Sequence, residues 1–242
     1  MAEVLITLGI IGIIAALTIA GFVSKYQKKI TAVKVYKFYS MINQVIRRSV
    51  TDNGEPNYWI YPGGVEVGKG GAANINYKNN LEFVNQYIVP YIRVLSCENW
   101  KISEGGGEDA SLVMCHLPAG DAVIFGVYHM GHDPLAIDIY YISDFRRSRF
   151  KSSSYLTDAR KVFYFSLQKP ANNGTEDSGK KDKTVKNANF VVPYVLNWDG
   201  TYEGLTRKGT KYSCSWEYSF YPAYCTKLLE LNGWEFPDNY PW

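Results

Sequence analysis

The chain has 242 residues, with 26 basic against 23 acidic side chains and a formal net charge of +3. So close a balance gives no case for nucleic acid as the main ligand, which needs a concentrated basic surface. With 46% hydrophobic residues, 20 tyrosines and modest charge, the chain is no disordered segment but reads as a β-rich contact surface. Its length accommodates an apolar helix plus one globular domain of about 190 residues.

The chain opens Met-Ala-Glu and then runs from Val4 to Val23 without one charge. As a helix this run spans roughly 30 Å, the thickness of a bilayer's hydrocarbon core. Glu3 brackets it on one side, and Lys25, Lys28 and Lys29 on the other. A lone carboxylate at the head of such a segment is costly to bury without a specific partner. A cleaved signal peptide needs a basic start, a shorter apolar stretch and a small-residue cleavage site, whereas this start is acidic and the run too long. An ordinary membrane anchor is a second reading. Basic residues after the span would then place the downstream chain in the cytoplasm, at odds with its exported look.

A third reading comes from the residues Ala2-Glu3-Val4-Leu5-Ile6-Thr7-Leu8-Gly9-Ile10-Ile11-Gly12-Ile13-Ile14-Ala15-Ala16-Leu17. This segment resembles the N-terminal segment of type IV pilins and of type II secretion pseudopilins. In that family a basic leader ending in Gly precedes Phe-Thr-(Leu or Met)-Ala-Glu and an apolar helix. Met1 takes the Leu/Met place, so the chain is expected to begin inside the motif. The resemblance implies a prepilin peptidase that removes the leader and methylates the new amine. It also implies an inner-membrane assembly platform with its ATPase, and a helical filament of like or related subunits. In that scheme the subunit waits in the inner membrane and then enters an extracellular pilus or a periplasmic pseudopilus. Glu3 would pair with the N-terminal amine of a neighbouring subunit, and Gly9 and Gly12 belong to the assembly segment. Many family members carry proline where this chain has Ala20, so an obligatory helix break is missing.

From Thr31 to Thr51 the apolar residues Val35, Phe38/Tyr39, Ile42, Val45/Ile46 and Val50 recur at helical spacing, with Lys34, Lys37, Gln44, Arg47 and Arg48 mostly on the other face. No Pro or Gly interrupts Gly21 to Gly54, so one rod from about Ala2 to Asp52 is expected, ended by Asn53-Gly54-Glu55-Pro56. Gly63 to Asn80 reads as a long surface loop. Leu81 to Val94 reads as a short helix broken at Pro90. Its stretch Tyr87-Ile88-Val89-Pro90-Tyr91-Ile92-Arg93-Val94 resembles a segment of large prepilin-type proteins. Ser103 to Asp109 reads as a turn. Strands are expected at Ser111–Leu117, Asp121–Tyr128, Ile137–Ser143, Lys161–Leu167 and Phe190–Leu196, each bounded by turn residues. Pro170 to Asn189 reads as an exposed polar loop.

Four cysteines are present, Cys97, Cys115, Cys214 and Cys225, with no zinc-type spacing. An even number in an exported domain favours disulfides. Of three possible pairings, Cys97–Cys115 and Cys214–Cys225 are expected because each closes a short loop rich in turn residues, worth roughly 3 kcal/mol. Tyr224 to Pro237 resembles the Cys-Thr…Asn-Gly-Trp-x-x-Pro ending of those same prepilin-type proteins. Within it, Cys225 to Leu231 reads as a helix closed by Asn232-Gly233.

No catalytic constellation or cofactor motif is found, and no enzyme activity is expected. His129, His132 and Asp133 could be taken for metal ligands, but a polar hairpin loop accounts for them. Asn197-Trp198-Asp199-Gly200-Thr201 lacks the alternating acids of a calcium loop and reads as a hairpin turn. Asn173-Gly174-Thr175 fits the glycosylation sequon, too short a pattern to use. Trp216, Tyr218, Phe220, Tyr221, Tyr224, Trp234 and Trp242 read as the core of a disulfide-stapled region, with an adhesive, sugar-stacking face as the alternative.

The expected fold is α+β and pilin-like, a long N-terminal helix packed on an antiparallel β-sheet. Residues 1–24 form a membrane or filament-core half and 25–52 an amphipathic half. Residues 53–242 form the β-rich domain. The expected function is a structural pilin or minor pilin. The alternatives are a type II secretion pseudopilin and a membrane-anchored binding protein that does not polymerise.

Overall fold

The computed structural model describes residues 2–60, 77–102, 110–130, 133–145, 156–167, 190–217 and 221–242. Within these, the side chains of residues 2–6, 15–17, 20, 57, 77–79, 101–102, 110–111, 128–130 and 133–136 fall outside the description. The expected loops at 103–109 and 170–189, the sequon and His132 lie outside the described residues.

The architecture is α+β. One helix, α1, runs from Ala2 to Asn53 without interruption. It is followed by α2 (Tyr77–Tyr87) and a sheet of six strands. These are β1 (Ser96–Ile102), β2 (Ala110–His116), β3 (Ala122–Met130), β4 (Asp133–Ile142), β5 (Val162–Leu167) and β6 (Val191–Pro193). Two short helices, α3 (Tyr202–Thr206) and α4 (Cys225–Leu231), close the fold. The strands lie in chain order, each antiparallel to the next, so the sheet is a meander built from local connections.

Side chains alternate between two covered faces, as the period of two requires. Val123, Phe125, Ile137, Ile139, Tyr141, Phe163 and Phe165 point to the face covered by α1 and α2. Ala122, Ile124, Tyr140, Ile142, Val162 and Tyr164 point to the other, covered by α4 and by residues such as Leu205, Tyr212 and Tyr240. Double coverage explains why these strands read as near-continuous apolar runs.

The expected amphipathic face of α1 makes the first contact. Val35, Phe38, Ile42, Val45 and Ile46 are buried. Phe38 stacks on Tyr141 of β4, ring centroids 4.2 Å apart, and meets Phe165 of β5 at 5.6 Å. The Tyr141 hydroxyl donates to Asp121 at the β2–β3 turn over 2.5 Å, with Gly120 beside it at φ +82°.

At the sheet's last strand, α1 completes the ladder with a side chain. Asn43 Nδ2 donates to the Val191 carbonyl at 3.0 Å, and the Val191 N–H donates to Asn43 Oδ1 at 2.9 Å. The amide takes the part of a neighbouring strand's peptide, so the β6 edge is paired where it meets the helix. Where β6 ends, Thr226 of α4 takes over, accepting the Tyr164 N–H at 2.7 Å.

Both expected disulfides form, Cys97–Cys115 and Cys214–Cys225. The first joins residues directly opposite on β1 and β2. The second ties the loop after α3 to the first turn of α4.

The structure corrects several expectations. The loop placed at Gly63–Asn80 gives way at Tyr77, where α2 begins, and the following turn through Pro90 is a separate 3₁₀ segment, Val89–Tyr91. Strand β1 was not expected, because Ser-Cys-Glu-Asn-Trp-Lys-Ile carries too little apolar content; it pairs on one side only and buries chiefly Trp100. Asp199-Gly200 does not turn a hairpin. Thr201 caps α3 instead, its hydroxyl accepting the Gly204 N–H at 2.9 Å.

Two outcomes follow from these contacts. Asn43→Leu leaves a buried N–H and C=O of Val191 unpaired and is expected to lower stability by about 2–4 kcal/mol in urea unfolding, far more than Gln44→Leu on the exposed face. On the second face, Asp138 is half-buried as a residue, but protein packs around its carboxyl, and burial pushes it up to about 7 while the Tyr140 hydroxyl pulls the other way. The native state therefore prefers the neutral acid. Stability from this group is fully present below the unfolded value near 4 and is lost as pH rises through about 7. Asp138→Asn is expected to flatten the fall in melting temperature between pH 5 and pH 8.

Candidate assembly surface

The two halves of α1 have opposite fates. Toward its C-terminal end the helix is seated on the sheet, and Ala32 is its first buried residue among those described. From Thr7 to Val23 every residue with a described side chain is exposed. Leu8, Ile10, Ile11, Ile13, Ile14, Ile19, Phe22 and Val23 are all exposed, from 42% at Val23 to 72% at Phe22. At 100° per residue these positions lie on every side of the helix. Single exposed apolar residues are ordinary, but a contiguous sleeve of them marks an interaction surface.

Gly9 and Gly12 open notches in this sleeve. A Cβ built at either meets nothing within 4 Å, so a second helix can approach the backbone there. Thr18 is satisfied within the helix, its hydroxyl donating to the Ile14 carbonyl at 2.9 Å. Glu3 lies in the first turn of α1, and its side chain is outside the description. Among the described residues no helix is long and apolar enough to cross a membrane. That description omits the side chains of residues 4–6, 15–17 and 20, which belong to the uncharged run.

The exposed stripe extends further than the sequence reading placed it. Tyr26, Ile30, Val33 and Tyr36 are exposed at 39–58%, beyond the end of the uncharged run. Most of them lie opposite the buried Val35–Ile42 face. The signal was present in the spacing 19, 22, 26, 30, 33, but Lys25, Lys28 and Lys29 interrupt it and draw the eye to a polar switch. The domain grips this neck through its last residues. Trp234 packs on Tyr36 and Tyr39 at 5.8 and 4.8 Å, and Lys28 Nζ sits 5.7 Å from the Trp242 ring centroid.

The remaining candidates resolve as follows. His129 stands on β3 and Asp133 on β4, across a hairpin whose strands pair up to Met130 and Asp133, and their side chains are outside the description. Among the described residues no group of three His, Cys, Asp or Glu could hold a metal. The Asp199 carboxylate is consumed locally. It accepts from Thr201 N–H at 2.9 Å and the Thr201 hydroxyl at 2.7 Å, which hold it below the usual carboxylate range. Of the aromatic tail, Tyr224 is buried, and Tyr221, Trp234 and Trp242 pack against the cores. Trp216 is 73% exposed. The four cysteines are spent in disulfides, which leaves no described thiol nucleophile.

Among curated proteins and among solved structures, nothing matches this chain. Residues 21–242, from the end of the exposed sleeve through the seated part of α1 and the sheet, match the family described as a family of unknown function (DUF6613), and the chain belongs to that family.

Proposed function

We propose that the chain is a structural subunit, a pilin or minor pilin, of a type IV pilus-like filament that assembles through the first half of α1. One observation carries the reading: the helix is uncharged from Val4 to Val23 and exposed at every described side chain from Leu8 to Val23, then amphipathic and seated on a sheet. A two-part helix of this kind needs a second environment for its first half. Fully burying each large apolar side chain contributes roughly 1.5–3 kcal/mol, so a bundle of such helices has a large driving force.

The resemblance of Ala2–Leu17 to the pilin segment supports the same reading from a part of the chain that the family match, starting at residue 21, does not include. The membrane is the waiting environment and the filament core the final one. Glu3 gives the filament its stagger by pairing with the N-terminal amine of a neighbour, the partner that makes a carboxylate tolerable in an apolar core. Gly9 and Gly12 permit close helix approach. The two disulfides suit an oxidising compartment.

A type II secretion pseudopilus is the second reading of the same surface. The two differ in the length of the filament and in the machine that builds it, not in the physics of the helix.

Glu3→Ala in the full precursor is expected to abolish filaments while leaving the membrane-bound subunit at its usual level, with both disulfides intact on non-reducing peptide mapping. Filaments counted by microscopy and subunit measured in membrane fractions check it. Normal filament yield from the variant rules out the pairing role.

A further inference from the structure

We propose that Lys25, Lys28 and Lys29 form a collar that binds the anionic headgroups of a lipid leaflet at the base of the globular domain. The inference deepens the membrane-anchored stage of the proposed function and rests on it.

The neck between the uncharged run and the seated helix spans Val23 to Ala32, about 13 Å of helix. All three lysines fall in it, within roughly a 100° arc. Lys25 and Lys29 are exposed, and Lys28 is half-buried with its ammonium over the Trp242 ring. That contact brings Trp242 to the same stretch of the helix, where the three lysines fall within about 6 Å along its axis. Phe22 and Tyr26 stack on the neck, ring centroids 6.4 Å apart. Aromatic rings with amphipathic character and snorkelling lysines are the residue types that hold a helix at a headgroup layer.

Charge selects the partner. From Val4 to Thr51 the helix carries seven basic residues and no acid. Lys25 and Lys29 therefore have no carboxylate within reach on their own helix, whose two acids, Glu3 and Asp52, stand near its opposite ends. Residues 54–242 carry 19 basic against 21 acidic residues, no marked excess of acid. An anionic leaflet supplies dense negative charge at the depth where the uncharged run ends.

Topology adds a second argument. Lysines following a span ordinarily keep that side in the cytoplasm. Here the chain beyond them holds two disulfides, which belong on the oxidising side. These lysines stand where orientation signals do not require them, so their charge has another use. The attraction of lysines to an anionic surface falls off within a Debye length and so weakens with salt.

The test uses the full chain and two exposed positions. Phosphatidylcholine vesicles and vesicles of phosphatidylcholine with one-quarter phosphatidylglycerol are mixed with the protein, separated by density, and the protein in each is measured. The wild-type chain is expected to favour the anionic vesicles by roughly tenfold at low salt, with the preference shrinking as NaCl rises. Lys25→Gln/Lys29→Gln is expected to spread evenly between the two, and Lys25→Arg/Lys29→Arg to keep the preference. Firm binding to both vesicles without preference, or an unchanged preference in the glutamine variant, overturns the collar and leaves membrane anchoring standing. Absence of the protein from both vesicle types overturns anchoring itself, and the collar with it.

Discussion

The seat of α1 on the sheet, centred on Phe38 between Tyr141 and Phe165, is the contact on which the other features depend. Aromatic pairs of this kind add about 0.5–1.5 kcal/mol to the area they bury. More than energy is set there. The seat fixes the rotation of the helix, so Asn43 faces Val191 and pairs with β6. It also brings Lys34 to the Ser143 carbonyl at 2.8 Å, next to the strand end that Tyr141 and Asp121 brace. With rotation fixed at Phe38 and Asn43, the faces of the remaining helix follow from 100° per residue. Which side of the neck carries Tyr26 and which carries Lys28 is decided by packing some three turns away.

The second face of the sheet has a different material. It is covered by irregular chain, two short helices and the Cys214–Cys225 link, not by one long element. Such a layer has few backbone bonds of its own and depends on side chains that reach into it. Tyr240 donates to the Ala159 carbonyl at 2.6 Å, Tyr224 to the Leu196 carbonyl at 2.6 Å, and Thr226 accepts from Tyr164. The abundance of tyrosine thus serves the interior as much as the surface, because a ring fills volume while its hydroxyl satisfies a buried carbonyl. Trp234 belongs to the same economy. It adopts φ +64° beside Gly233 at +67°, a backbone that non-glycine residues seldom take, and so swings its ring onto Tyr36 and Tyr39 of α1. The tail thereby touches both layers and holds the helix where it leaves the domain.

This arrangement leaves a molecule with two surfaces of unlike character. The domain satisfies its apolar residues internally through two cores, with scattered exceptions such as Trp216 and Leu95. The projecting helix satisfies none of its own. The proposed assembly, membrane residence and lysine collar all rest on that asymmetry.

Much of this was legible in the sequence because its signals are local. The helix from Ala2 to Asn53 follows from an unbroken run without Pro or Gly in its second half, and its buried face from the spacing of Val35, Phe38, Ile42 and Ile46. Cys225–Leu231 shows its own stop in Asn232-Gly233, and five strands show theirs in flanking turn residues. The sleeve from Leu8 to Val23, with Gly9 and Gly12 in it, needs no fold to be seen. Long-range pairing decided the rest. Strand β1 exists because β2 offers it a ladder and Cys97 meets Cys115, not because Ser96–Ile102 has strand character of its own. Asp199 turned into a helix-capping loop because Thr201 and Gly204 lie within reach. The partnership of Asn43 with Val191, 148 residues apart, and of Lys28 with Trp242 cannot be read from spacing, because sequence periodicity reports which face a residue is on and only the tertiary fold reports what stands opposite.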